Sequence, residues 1–152
     1  MSNIILMLHA TTGVLFILTA VWTYVDALNV TEASVARVRA AGKLAALLMW
    51  LTIIIGGYWY IYFYGADKAV ILKGPWPVAH DFFMETKEHV LLFLLILATF
   101  LPIATANDLV KVPAAKRLVL WVSGLCALAG LGMEGAGAII SMGAKLGLMI
   151  AK

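Results

Sequence analysis

The sequence predicts an all-α integral membrane protein, an up-down-up-down bundle of four membrane-spanning helices. Its 152 residues are 64% hydrophobic and only 12% charged, and the mean hydropathy is +1.01. Soluble domains carry about 25% charged residues. Four apolar segments reach the roughly 20 residues that a helix needs to cross a bilayer. The links between them are short, so consecutive helices should run antiparallel as a single membrane domain.

The composition of each segment and the residues that interrupt helices predict where each span begins and ends. The second span ends in the aromatic run Tyr58–Tyr64, which is typical of a membrane–water interface. Pro75 and Pro77 exclude a continuous helix in the next connection, so residues 66–80 should form a surface loop. The predicted spans, within a domain of residues 1–152, cover residues 4–28, 43–65, 80–106 and 114–141.

Charge is small and divided between the two sides. The net charge of +3 is scattered along the chain, which argues against nucleic acid as a partner. Arg37, Arg39 and Arg117 share the side that holds the first and third connections. The positive-inside rule then places both termini outside the cytoplasm, in what we expect to be a bacterial inner (cytoplasmic) membrane.

Helical spacing predicts which faces point into the bundle. On the first helix the inward face combines polar and small residues with one aromatic, and the fourth helix shows a similar face. On the second helix the aligned stripe ends at Tyr64, and on the third it begins at Glu85. The predicted inward residues are His9, Thr12, Gly13, Phe16, Ala20 and Thr23; Trp50, Gly57, Ile61 and Tyr64; Glu85, His89, Phe93, Ile96 and Phe100; and Ser123, Ala127, Gly130, Glu134, Gly137 and Ser141.

Two histidines are predicted at similar depth on diagonal helices. At about 1.5 Å per residue, His9 and His89 lie roughly 8–10 Å from the starts of their helices, on the same side as Glu134. Diagonal axes in such a bundle are about 12–14 Å apart, since neighbours are about 8–10 Å apart. An iron atom can bridge that distance, so we expect haem b with His9 and His89 as axial ligands. Gly13 would leave room for the porphyrin, and Glu85 or Tyr64 would orient an imidazole.

Other functions use the same residues. Glu134, a carboxyl group near the interface, is a candidate proton acceptor for a quinone or quinol. This would make the protein an oxidoreductase component that exchanges electrons with a redox partner at the 66–80 surface, alone, as a homo-oligomer or in a larger complex. Alternatively, His9, Glu85, His89 and Glu134 hold non-haem iron, copper or zinc. A third possibility is a cofactor-free scaffold subunit, in which the glycine faces serve helix packing alone.

With His9 and His89 placed, the chain resembles small bacterial four-helix membrane b-type cytochromes. It is similar in architecture to one four-helix half of haem A synthase, in which histidines on alternate helices hold haem near a glutamate. The segment Glu85-Thr-Lys-Glu-His89 resembles that glutamate–histidine pairing. The arginine that typically follows the histidine is replaced by Val90. The resemblance implies haem binding and electron transfer, but not haem A synthase activity.

Overall fold

The computed structural model describes residues 2–150, and these form four long helices and one π-helical segment. All four helices are long and apolar enough to cross a membrane. The prediction of an all-α membrane bundle is therefore confirmed. The elements are α1 (Ser2–Leu28), α2 (Val35–Lys73), the π-helix (Ala79–Met84), which continues directly into α3 (Glu85–Thr105), and α4 (Pro113–Ile150).

Two helices are longer than predicted. α2 has 39 residues and α4 has 38, and at 1.5 Å per residue each is about 57–58 Å long, well beyond a hydrocarbon core of about 30 Å. The predicted loop over residues 66–80 is wrong for most of its length, because α2 continues to Lys73 and ends at Gly74. Polar residues after 65 ended the predicted span, but they do not break a helix, whereas the prolines after Gly74 do.

The four helices pack in the predicted order around the bundle. α1 contacts α2 and α4, and α3 contacts the same two helices. Within residues 2–150, α1 and α3 make no mutual contact, so they are diagonal as predicted, while α2 and α4 touch across the centre. Buried positions recur at alternating intervals of three and four, the spacing of left-handed bundles. In α2 they are Val38, Gly42, Ala45, Met49 and Thr52.

The predicted inward faces hold for α1 and α4 but fail for α3 and for most of α2. In α3, Phe93 and Ile96 are 57% and 67% exposed, and Leu94 and Ala98 are buried instead. In α2, Tyr64 alone of the four predicted inward residues is buried. The predicted stripe in α3 was aligned on Glu85 and His89. The inward stripe lies on another face, where Lys87 and Leu91 are half-buried and Leu94, Ala98 and Leu101 are buried.

The π-helix is held against the ends of α2 and α4 by close contacts at small residues. Between α4 and the π-helix, a Cβ atom on Gly143 would lie 2.6 Å from the Cβ of Ala79. Between α4 and the end of α2, a Cβ atom on Gly147 would lie 2.6 Å from the Val70 carbonyl oxygen. Glycine at these positions allows the backbones to approach closely. The contacts fix the start of α3 and, with it, one end of the functional site.

Candidate functional site

A cavity of about 320 Å³ lies in the half of the bundle nearest the π-helix, and all four helices line it. Its walls are mainly apolar. The ionisable side chains on its lining are His9 from α1, Tyr60 from α2, and Lys87 and Glu88 from α3, while Gly137 comes from α4. Ligand sites are typically apolar cavities of about 300–1,000 Å³ with a few polar groups. A larger groove of about 530 Å³ lies between α1 and α4, with Arg117 and Tyr24 on an otherwise apolar, lipid-facing lining.

His9 is oriented by a backbone hydrogen bond. Its Nδ1 lies 2.9 Å from the carbonyl oxygen of Thr52 in α2. A carbonyl oxygen can only accept, so Nδ1 donates the proton and Nε2 of the neutral ring keeps its lone pair. The ring lies against Gly56, where a Cβ atom would be 2.5 Å from the ring atoms. His9 is therefore held in one orientation with one nitrogen left to interact with a ligand.

The space beside Gly13 is filled by a side chain of the bundle itself. The carboxylate of Glu134, from α4, occupies the position that a Cβ on Gly13 would take. Gly13 was predicted to leave room for a porphyrin, but its open face receives Glu134 in this arrangement. Gly13 thus determines how deeply the Glu134 carboxyl group enters the bundle.

Lys87 lines the cavity and is a candidate functional residue that was not predicted from the sequence. Its Nζ lies 3.0 Å from where a Cβ on Gly137 would stand, so Gly137 makes the space for it on α4. Glu134 is close enough for its charge to act on Lys87, and the charge of Lys87 in turn acts on His9. Ionisable residues within the apolar part of a membrane protein are costly and usually functional. The signal that could have found Lys87 is its spacing of four and seven residues from Leu91 and Leu94.

His9, Glu134 and Lys87 share one structural arrangement. Each reaches from one helix to a glycine on the next: Lys87 from α3 to α4, Glu134 from α4 to α1, and His9 from α1 to α2. The glycines leave space for three polar side chains inside an otherwise apolar bundle. We call His9, Lys87 and Glu134 the polar cluster.

The structure separates the remaining predicted site residues. His89 is exposed on the outer face of α3, where its Nδ1 lies 2.6 Å from the backbone oxygen of Glu85. Glu85 is also exposed, whereas Tyr64 is buried and bonds to His80. Among residues 2–150, no group of three or more His, Cys, Asp or Glu side chains could hold a metal ion. The four residues of the non-haem metal hypothesis are thus not brought together.

One haem held by both histidines does not fit this arrangement. His89 faces away from the bundle, and α2 and α4 contact each other between α1 and α3. His9 alone has the features of an axial ligand, with Nδ1 bound to a backbone carbonyl and Nε2 free. Haem binding therefore stays a prediction, and His9 is the residue present that fits it.

The chain matches no family model, no curated protein and no solved structure. The resemblance to b-type cytochromes accordingly stays a prediction.

Proposed function

We propose that this membrane protein binds the head group of a quinone or quinol in the cavity and takes part in quinol-linked electron transfer. The observation that supports this most directly is the polar cluster beside a mainly apolar cavity of about 320 Å³. A quinone head group is a flat apolar ring with two carbonyl oxygens, so it needs an apolar slot and a small number of donors. On the lining, Lys87 supplies a donor, and Nε2 of His9 supplies an acceptor for the hydroxyl group of the quinol form.

Each residue of the polar cluster has a distinct chemical role in this proposal. His9, with Nδ1 held by Thr52, accepts a hydrogen bond at Nε2 from one hydroxyl group of the quinol and takes up its proton there on oxidation. Lys87 donates to a ring oxygen and stabilises the negative charge that develops there on reduction. Glu134 balances the charge of Lys87 and accepts protons. Interconversion of quinone and quinol moves two electrons and two protons, and the electrons pass to or from a redox protein.

The setting of the cavity supports a lipid-soluble ligand. It lies within helices that are long and apolar enough to cross a membrane, and these provide its mainly apolar walls. An isoprenoid tail can stay among the lipids while the head group enters between helices. We place the protein in a bacterial inner membrane with its termini outside the cytoplasm, and the redox partner at the surface formed by the end of α2 and the π-helix.

Haem b binding is the second candidate, and a specific observation favours it. The Nδ1 atoms of His9 and His89 each lie within hydrogen-bond distance of a backbone carbonyl oxygen, 2.9 Å and 2.6 Å away. This leaves both Nε2 atoms free, as in histidines that bind metals. Ligation by both would require His89 to leave its exposed position.

One comparison of two histidine variants separates the two candidates. Binding of decylubiquinol, kept reduced, to purified protein in nanodiscs is measured by quenching of tryptophan fluorescence, with Trp59→Phe identifying the signal from the cavity. His9→Ala and Lys87→Met should each weaken binding at least about tenfold, the effect of about 1.4 kcal/mol, which is the size of one lost hydrogen bond. His89→Ala should leave binding unchanged.

The same samples are examined by visible spectroscopy, oxidised and reduced. Unchanged quinol affinity in both His9→Ala and Lys87→Met would refute the proposed quinone or quinol site. A reduced α-band lost in both His9→Ala and His89→Ala would establish ligation by both histidines. An α-band lost in His9→Ala alone would assign His9 as the single histidine ligand.

A further inference from the structure

A second group of buried polar side chains lies outside the polar cluster. His80, in the π-helix, and Tyr64, in α2, are only 4% and 2% exposed. The Tyr64 hydroxyl lies 2.9 Å from Nδ1 of His80. The sequence predicted a loop or interface position for His80, and this was wrong because the π-helix directs it into the bundle. Single π-helical segments occur frequently at functional sites.

The pair connects the protein surface with the wall of the cavity. On the outer side, Nε2 of His80 is 3.7 Å from the Glu85 carboxylate, whose side chain is 49% exposed. On the inner side, Tyr64 stacks on Tyr60 with ring centroids 5.2 Å apart and planes 19° apart. Tyr60 lines the cavity. Because the two rings are stacked nearly parallel and lie one helical turn apart, Tyr60 continues the line of side chains from His80 and Tyr64 to the cavity.

We infer that His80 and Tyr64 form a proton relay between the membrane surface and the cavity. The inference rests on the proposed quinone function. When a proton binds Nε2 of His80, the proton on Nδ1 passes to the Tyr64 oxygen. Tyr64 then releases its own hydroxyl proton toward Tyr60. The same steps in reverse carry a proton from the cavity to the surface. The hydroxyl can accept from a protonated Nδ1 or donate to a bare one, so the pair stays bonded before and after transfer.

Burial and bonding distinguish this pair from its neighbours. Tyr62 and His89 are exposed residues of the same types on the same two helical segments, α2 and the π-helix with α3. Neither is hydrogen-bonded to the other or directed at the cavity. They therefore provide matched controls for substitutions of Tyr64 and His80.

The test is proton release from bound quinol. Full-length protein in nanodiscs is loaded with decylubiquinol and mixed rapidly with ferricyanide, which takes two electrons per quinol and leaves two protons to reach the solvent. A pH-indicator dye follows those protons, and ferricyanide absorbance follows the electrons. We expect Tyr64→Phe and His80→Ala to slow proton release at least about tenfold without changing quinol affinity. Tyr62→Phe and His89→Gln should match the wild type.

Chemical rescue separates a relay from a purely structural bond. Added imidazole should restore proton release in His80→Ala but not in Tyr64→Phe. If His80→Ala does not fold, Tyr64→Phe alone decides. Intact quinol binding with wild-type proton release in Tyr64→Phe would overturn the relay and leave the proposed function standing. Failure of the wild-type protein to bind quinol would overturn both.

Discussion

Two adjacent glycines in α2 should respond in opposite ways to the same substitution. A Cβ on Gly56 would lie 2.5 Å from Cε1 and Nδ1 of His9, whereas a Cβ on Gly57 would have no heavy atom within 4 Å. Gly56→Ala must therefore displace the His9 ring from its hydrogen bond with Thr52. Gly57→Ala adds a methyl group to open space and changes no contact.

The magnitudes follow from these contacts. Overpacking costs about 1–3 kcal/mol, and the lost hydrogen bond costs about 0.5–1.5 kcal/mol. Alanine stabilises a helix relative to glycine by about 1 kcal/mol. Gly56→Ala should therefore lower the free energy of unfolding by about 0.5–3.5 kcal/mol. Gly57→Ala should raise it by up to about 1 kcal/mol.

The assay is reversible unfolding in mixed micelles with increasing dodecyl sulfate, followed by tryptophan fluorescence. Each folded variant is also titrated with decylubiquinol, and Gly56→Ala should weaken its binding at least about tenfold, the loss expected for one hydrogen bond. Equal stabilisation by both alanine substitutions would refute the close contact between His9 and Gly56 and, with it, the fixed orientation of the ring.

Two further outcomes test the regions around the site. Gly147→Val should destabilise the protein by about 1–3 kcal/mol, because its Cβ would lie 2.6 Å from the backbone oxygen of Val70, while Gly132→Val, with nothing within 4 Å, serves as the control in the same unfolding assay. In the loop before α4, the Lys111 and Val110 backbone N–H groups donate to Asp108 and lower its pKa below the ordinary value for an aspartate. Its stabilising effect should be full above that value and be lost as the pH falls through the lower folded pKa, and Asp108→Asn should remove this acid dependence from unfolding measured as a function of pH.

The sequence was sufficient for the architecture and for part of the site. Hydropathy located the four helices, and short links fixed their order, so the diagonal placement of α1 and α3 followed. On α1, His9 and Gly13 are the conspicuous residues of one helical face, and Glu134 is the one acid within α4. Their faces were predicted correctly because small and polar residues cluster on a single side.

The rest depended on tertiary contacts that a pattern does not contain. In α3, the stripe that begins with Glu85 and His89 and the stripe that begins with Lys87 and Leu91 both have regular helical spacing. The first was predicted to face inward because it carries a histidine and a glutamate, but the second, with its leucines, packs in the bundle. The π-helix rotates the residues before α3, which is why His80 points inward. The π-helix packs Ala79 closely against Gly143, some sixty residues later, a contact that no local pattern contains.

The reciprocal fit of side chains and glycines has a consequence for biogenesis. In the order α3, α4, α1, α2, a glycine on each of the last three helices makes room for a polar side chain from the helix before it. No pair of adjacent helices contains the whole site, and a bundle of α1, α2 and α3 without α4 leaves Lys87 without the counter-charge of Glu134. That cost favours intermediates in which all four helices associate together. The ligand site should therefore appear only in the final step of assembly, after insertion of α4.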